Sequence, residues 1–280
     1  MVECTISVTS PIYNNFAGYQ CKLLVEIGAN HLVFLVENDK KIIGFEYYSI
    51  VLDNNNWDNI VAGAKNYSKL FSKNFGAVQV VYNLPEALIV PASKYSNNST
   101  ESYLQTIYGE QKNHKIISEK INIQQQPYLI ASINNSMQEA VQKHFGNHYN
   151  SHVYTHVLQQ ILGKETMVLE MLKVQFYQGF MVVLVINNNA LSLVQTYKYT
   201  TPEDVVYYLL NIVEQFGLSL NNTPVEISGI IATNSKTFEL LEHLFTRLTL
   251  ETVHLEDKDG FEETINISNA HYYSPFFNLI

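Results

Sequence analysis

Apolar positions in the first fifty residues come in short runs separated by brief polar joints. Residues 19–26 and 30–37 are rich in β-branched and other apolar side chains, and residues 41–48 alternate between apolar and polar positions. Runs of this kind predict β-strands, and the short joints at residues 28–30 and 38–40 predict antiparallel neighbours. The second run contains "LVFLV", which is apolar on both faces and indicates a sheet that is covered on both sides. The pattern therefore predicts a three-stranded antiparallel meander.

A helical period follows the meander. Trp57, Ile60, Ala64 and Tyr67 recur along one stripe, which predicts an amphipathic helix near residues 56–73. Two further strands are predicted at "AVQVVYN" and "EALIV", and the polar stretch "SKYSNNSTES" is typical of a loop. The first half of the chain is therefore predicted to be α/β.

The second half repeats this order at a constant offset of 149 residues. The offset superposes apolar positions through the strands, the helix and the strand that follows it. The pairs are Val33 with Val182, Leu35 with Leu184, Val36 with Val185, Asn38 with Asn187, Tyr48 with Tyr197, Ile60 with Leu209, Ala64 with Val213, Tyr67 with Phe216, Val78 with Ile227 and Val81 with Ile230. This register predicts an internal duplication, and two unrelated halves that align by chance are the alternative.

The helix of the second half has clear end signals. Thr201 is a predicted N-cap, Pro202 takes the first helical position, Asp204 can close a capping box, and Gly217 ends the helix. Its predicted buried stripe is Val205, Leu209, Ile212, Val213 and Phe216. A strand "VEISGIIA" and a helix "SKTFELLEHLFTRL", capped by Ser235, are predicted to follow.

The paired meanders, the helix in "YKYTTPEDVVYYLLNIVEQFGL" and the segment "ISGIIATNSKTFELLEHLF" resemble the actin-like superfamily of sugar kinases, chaperone ATPases and actin. More narrowly, the pattern resembles a bacterial family of unknown function, found in Bacteroidetes, that shares the pilus-assembly type of this fold. The resemblance implies two ribonuclease-H-like domains with mixed sheets, at residues 1–150 and 151–280, facing each other across a cleft. It brings no established activity.

ATP-binding members of that superfamily bind the nucleotide with three turns, and the resemblance implies a corresponding position in this chain for each turn. The first turn corresponds to Glu26-Ile27-Gly28-Ala29-Asn30. Gly28 would let backbone N–H groups approach a phosphate, and Glu26 would hold Mg²⁺ through water, although an aspartate is usual there.

The other two turns depart further from the superfamily pattern. The offset places Gln175 and Tyr177 at the second turn, which then has neither the acid nor the glycine. The third turn keeps Gly229, but Ile230 follows it, and a β-branched residue is strained at positive φ. The predicted nucleotide site, made of Glu26, Gly28, Asn30 and Gly229, is therefore degenerate, and no catalytic residue is assigned.

Composition and charge restrict the possible partners. Hydrophobic residues make up 46% of the chain and charged residues 15%, which is typical of a globular protein. The formal net charge is −9 and Arg247 is the only arginine, so nucleic-acid binding is disfavoured. Cys4 and Cys21 are too few for a disulfide framework, and neither a signal peptide nor a run long enough to span a membrane is found. A cytoplasmic location is predicted.

Three other features invite a functional interpretation. His144, His148, His152 and His156 recur every four residues, but intervening Gly, Asn and Ser residues break the helix, so that only His152 and His156 are predicted to share a face; metal binding there is a minor alternative. The acidic run around residues 257–260 is predicted to be a solvated turn. The apolar C-terminus "HYYSPFFNLI" is predicted to dock on the first domain, with a partner's groove as the alternative.

The sequence thus predicts a non-catalytic, two-domain binding or assembly module without a metal or other cofactor. Its predicted partner is another protein or a second copy of the chain. The alternative is an ATP-binding phosphotransferase or weak ATPase that uses Glu26 and the cleft between the two domains.

Overall fold

The computed structural model describes residues 2–51, 56–72, 74–164, 167–251 and 267–279. The described residues divide into two compact units. The first contains residues up to Gln159, and the second contains residues 160–251 and 267–279. The predicted turn at residues 257–260 lies outside the described residues. No helix in the described residues is long and apolar enough to cross a membrane.

The elements of the first unit alternate between strands and helices. In chain order, they are β1 (Val2–Thr9), β2 (Lys22–Gly28), β3 (His31–Asn38), β4 (Lys41–Ile50), α1 (Trp57–Tyr67), β5 (Ala77–Asn83), β6 (Ala87–Val90), α2 (Thr100–Tyr108), β7 (His114–Lys120), β8 (Tyr128–Asn134), α3 (Asn135–Phe145), β9 (Tyr149–His152) and α4 (Val153–Leu162), of which α4 runs across the boundary between the units.

Six of these strands form the main sheet of the first unit, in the order β1-β4-β3-β2-β5-β9. The strands β2, β3 and β4 are the predicted antiparallel meander, whereas β5 runs parallel to β2 and β9 runs parallel to β5. Apolar side chains on one face of this sheet pack with α1 and α3 in a continuous core. The strands β6, β8 and β7 form a separate small antiparallel sheet, which was not predicted, beside α2.

The second unit is built in the same way. Its elements are β10 (Glu170–Tyr177), β11 (Phe180–Asn187), β12 (Ala190–Lys198), α5 (Pro202–Phe216), β13 (Val225–Gly229), α6 (Lys236–Leu244), β14 (Leu248–Leu250) and α7 (Ser274–Phe277). The sheet order is β12-β11-β10-β13-β14, and α5 and α6 cover one face. The strand order β4-β3-β2-β5 of the first unit therefore recurs as β12-β11-β10-β13.

Backbone details confirm the internal duplication. Ile27 faces Leu32 in the first hairpin, and Phe176 faces Met181 in the second, 149 residues later in each case. The register shift between Val36 and Glu37 recurs between Val185 and Ile186. The turn that follows has positive φ at residues 39 and 40 in the first unit and at residues 188 and 189 in the second.

The offset changes at the strand after the helix. Leu23 faces Val78 in the first unit, whereas Leu172 faces Val225 in the second. The predicted pairing of Val78 with Ile227 is therefore wrong by two residues, and so is that of Val81 with Ile230. The connection that leads into β13 is shorter, and a shift of two residues keeps the same side chains on the core face.

The predicted helix-capping residues are confirmed, whereas two predicted helices are shorter in the structure. Thr201 Oγ1 accepts a hydrogen bond from Asp204 N at 3.2 Å, and Gly217 takes the left-handed conformation with φ 65°. In contrast, α1 ends at Tyr67, which is 73% exposed and not part of the buried stripe. The helix that begins after Ser235 ends at Leu244, so that the following residues can form β14.

The C-terminal segment docks as predicted, but its described contacts lie in the second unit. His271 Nε2 donates to the Ile231 carbonyl at 2.8 Å, and the Phe276 ring meets the Tyr177 ring edge-on with centroids 5.8 Å apart. The described part of this segment therefore packs beside β13.

Candidate functional site

Glu26 lies on β2 and its side chain is 0% exposed. Its Oε1 accepts hydrogen bonds from His31 Nε2 and from Asn83 Nδ2, both at 2.8 Å. Among the described residues, Oε2 has no hydrogen-bond partner. A buried carboxylate needs charge-assisted partners, and here one comes from the next strand of the hairpin and one from the parallel neighbour β5.

Gly28 makes room for this arrangement. A Cβ atom built on Gly28 would lie 2.1 Å from Cε1 of His31, because the imidazole packs directly over the glycine. His31 also stacks on Tyr47, with ring centroids 5.7 Å apart and an interplanar angle of 3°. Asn83 is the residue paired with Gly28 across the parallel ladder. The lack of a side chain at Gly28 therefore serves the packing of His31.

Asn30 lies in the turn between β2 and β3. It is partly buried, and its carbonyl accepts a hydrogen bond from Ile50 N at 2.8 Å. This bond ties the turn to the end of β4. Of the four predicted site residues, the structure thus brings Glu26, Gly28 and Asn30 together at one end of the first meander.

Gly229, the fourth predicted residue, ends β13 in the second unit. Its φ is +88°, and a Cβ atom would lie 2.0 Å from the Phe176 carbonyl oxygen. That carbonyl also accepts a hydrogen bond from Ile230 N at 2.8 Å. A glycine is thus required where the chain turns tightly against β10, and Ile230 avoids positive φ.

The second hairpin is apolar at the position that corresponds to Gly28. Tyr177 is fully buried, and its ring stacks on Phe180 with centroids 4.7 Å apart. The Tyr199 hydroxyl donates to the Tyr177 carbonyl at 3.0 Å. Gln175, at the position of Glu26, is 1% exposed, and its side-chain amide has no hydrogen-bond partner among the described residues. Aromatic rings therefore fill the space beside this turn.

A charged cluster in the second unit was not predicted from the sequence. Lys173, on β10, is 1% exposed and forms ion pairs with Glu226 and with Glu251, the latter at 2.6 Å. Glu251 also accepts hydrogen bonds from Gln160 Nε2 at 2.8 Å and Asn278 Nδ2 at 2.9 Å. Burial raises the pKa of Glu251, but the charge and hydrogen bond of Lys173, with further hydrogen bonds, outweigh burial and lower it.

The four histidines are separated by the fold. His144 lies in the last turn of α3, and its Nε2 is 2.7 Å from Oδ1 of Asp58. His148 lies in the connection that follows α3. His152 is the last residue of β9, whereas His156 lies in α4. The prediction that these two histidines share a helix face is therefore wrong. Among the described residues, no three His, Cys, Asp or Glu side chains are grouped to hold a metal ion.

His152 and His156 are held by neutral partners. His152 Nε2 donates to the Leu84 carbonyl at 3.0 Å, and burial lowers its pKa to about 3. His156 Nε2 lies 2.9 Å from Ser151 Oγ and 3.3 Å from Gln79 Nε2, and burial lowers its pKa to about 4. Both imidazoles are thus neutral over the physiological pH range.

Solved structures show the fold of the chain. A protein of unknown function with an actin-like ATPase fold, from Bacteroides thetaiotaomicron, is 12% identical, with a TM-score of 0.73 over 93% of this chain and 96% of that one. The PilM–PilN type IV pilus biogenesis complex contains a chain that is 9% identical, with a TM-score of 0.58 over 92% of this chain and 96% of that one. The actin-like ATPase fold implied by the sequence is confirmed.

No curated protein matches the chain. Residues 13–248 match the family described as "Protein of unknown function (DUF3822)". This match covers most of the chain, including both meanders and the helices that pack on them. The chain therefore belongs to the DUF3822 family and has an actin-like ATPase fold.

Proposed function

We propose that this protein is a non-catalytic binding or assembly module whose nucleotide site is degenerate. The observation that carries the proposal is the Glu26 carboxylate, fully buried and hydrogen-bonded to His31 and Asn83. A hydrated Mg²⁺ ion held by Glu26 would have to displace the imidazole that packs over Gly28. The acid of the first turn is thus engaged in holding the hairpin together.

The second hairpin supports the same conclusion. Phosphoryl transfer needs several positioned charges at the phosphates. Gln175 and Tyr177 supply no charge at the equivalent turn, and the Tyr177 ring packs against Phe180 and Phe276. The two actin-like subdomains, proposed at residues 1–150 and 151–280, would thus serve as a scaffold for binding.

A protein partner fits this role better than a small molecule or a nucleic acid. The chain has a net charge of −9 and one arginine, which opposes binding to phosphate-rich polymers. The structurally similar PilM–PilN chain comes from a complex between proteins. Neither Cys4 nor Cys21 forms a disulfide bond within the described residues, which fits the proposed cytoplasmic location.

Calorimetric titration with Mg-ATP and Mg-ADP tests the proposal. We expect no saturable heat from either nucleotide, because neither turn offers a free acid beside accessible backbone N–H groups. Saturable binding with micromolar affinity, about −8 kcal/mol, would contradict the proposal.

The alternative function is a weak ATPase or phosphotransferase that depends on Glu26, and one observation favours it. The Oε2 atom of Glu26 is buried and has no hydrogen-bond partner among the described residues, so a ligand that entered the site would supply the missing polar contact. Glu26→Gln keeps the shape of the side chain and removes its charge. A hydrolysis rate that is measurable in the wild type and lost in Glu26→Gln would establish this alternative.

A further inference from the structure

The two sheets differ at one outer edge. In the first sheet, β4 pairs on its outer side with β1. In the second sheet, the equivalent strand β12 is outermost, and among the described residues no strand pairs with its outer side. The second unit therefore presents a long strand edge at the place where the first unit has an added strand.

The stretch of β4 that accepts β1 has an equivalent in β12. The strand β1 pairs with residues 44–50, which lie just after the register shift in β4. Shifted by 149, this stretch becomes residues 193–199, which lie just after the matching register shift in β12. The backbone on which β1 docks in the first unit is thus repeated in the second.

Two other outer strands, β1 and β14, carry features that discourage pairing, and β12 does not. The strand β1 exposes Glu3 and Thr5 and has its own register shift, whereas β14 is only three residues long. The strand β12 has nine residues, contains no proline and carries no charge before Lys198. Unpaired edges of this kind are sites for the addition of another strand.

An aromatic patch lies beside this edge. The Tyr197 ring of β12 contacts the Tyr208 ring of α5, with centroids 5.0 Å apart, and Tyr208 contacts Tyr207. Tyr207 is 63% exposed and Leu210, on the same helix, is 40% exposed. Exposed aromatic and apolar side chains next to a strand edge are what an interface core uses.

We propose that the β12 edge pairs with the β12 edge of a second copy of this chain, antiparallel and about a twofold axis. The strand is suited to meet itself. If the antiparallel pair is centred on Val194, Leu193 of one copy lies opposite Gln195 of the other, and Lys198 lies opposite Ala190. Two chains with a net charge of −9 can thus meet along a seam without like charges. This inference rests on the proposed binding role, because it names the partner and its surface.

Val194 is the position at which to block pairing. Val8 faces Phe45, and Ser10 N donates to the Ile43 carbonyl at 2.9 Å, so the backbone of Phe45 faces β1. Val194 is equivalent to Phe45, and its N–H therefore points outward from the sheet. Proline is tolerated at such an edge position but removes the donor that a partner strand needs.

The experiment measures the mass of the chain by light scattering over a wide concentration range. We expect the wild type to form a dimer of twice 32.0 kDa. Val194→Pro and Val194→Lys should weaken the dimer by at least about tenfold, equivalent to about 1.4 kcal/mol. Asn234→Lys, which adds the same charge at an exposed position between β13 and α6, at the other end of the sheet from β12, should leave the dimer unchanged.

A second measurement covers the case in which a variant fails to fold. Amide hydrogen exchange of the wild type should slow within residues 193–198 as the concentration rises. A wild type that stays monomeric overturns the inference, and so does a dimer that withstands both substitutions in folded variants or leaves exchange at residues 193–198 unchanged. If Mg-ATP binds while the dimer depends on Val194, the proposed degeneracy fails and the edge pairing stands.

Discussion

The equivalent central strands of the two units carry different chemistry on the same face. In β2 this face presents Leu24, Glu26 and Gly28; in β10 it presents Lys173, Gln175 and Tyr177. The hydrogen-bond register of the two hairpins is the same at an offset of 149. One backbone thus supports a buried acid with a histidine in the first unit and a buried cation with two acids in the second. The backbone arrangement of the meander is therefore common to both units, whereas the buried charged residues on it differ between them.

The largest effect is expected from removal of the buried cation of the second unit, Lys173. Lys173→Met leaves the buried Glu251 without its cation, and removal of one partner from a buried pair costs about 3–5 kcal/mol. Chemical denaturation followed by circular dichroism measures the loss. Lys236→Met is the matched control, because its pair with Glu239 is exposed and is expected to contribute less than about 1 kcal/mol. Equal losses in the two variants would contradict a structural role for the Lys173 cluster.

Acid should destabilise the first unit through its buried histidines. The folded pKa of His152, about 3, lies below its unfolded value of 6.5, so protonation favours the unfolded chain as the pH falls from 6.5 towards 3. Each pKa unit corresponds to about 1.4 kcal/mol, which gives roughly 2 kcal/mol at about pH 5. Trp57 is the only tryptophan and is buried in the first unit, so its fluorescence reports this unit specifically.

His152→Gln is the variant that sharpens this prediction. It should flatten the pH dependence of the Trp57 unfolding transition between pH 6.5 and 4, with part of the slope left because His156 also has a lowered pKa. His114→Gln, at an exposed position of β7 in the same unit, is the control and should keep the wild-type slope. A slope that is the same in His152→Gln would show that this imidazole does not titrate as its burial implies.

The meander, the duplication and the helix caps could be predicted from the sequence because they depend on local signals. Strand period, turn length and the Thr201–Asp204 box are all contained in short windows. The two-residue shift at β13 could not be predicted, because it depends on the length of an irregular connection. The outermost position of β12 among the described strands depends on strand order, which no short window contains.

The candidate site was predicted only in part. Glu26 and Gly28 were identified, but the role of His31 was not, although it lies in the same stretch. A signal was present: a hairpin joint at residues 28–30 places positions 26 and 31 on the same face of the sheet. The role of Asn83 could not be predicted from the sequence, because its contact with Glu26 depends on the register of β5 against β2. Lys173 gave a weaker signal, a single charge inside the apolar run "MLKVQF".

The central claim is that the acid of the first turn serves the packing of its own hairpin, and a double-mutant cycle tests it most directly. Glu26→Ala, His31→Ala and the double variant are unfolded in denaturant, with Trp57 fluorescence as the probe. The account predicts a coupling free energy of about 1–3 kcal/mol, because each single substitution leaves a buried polar partner unpaired. Additive losses, within about 0.5 kcal/mol, would contradict the account and leave Glu26 free for a ligand.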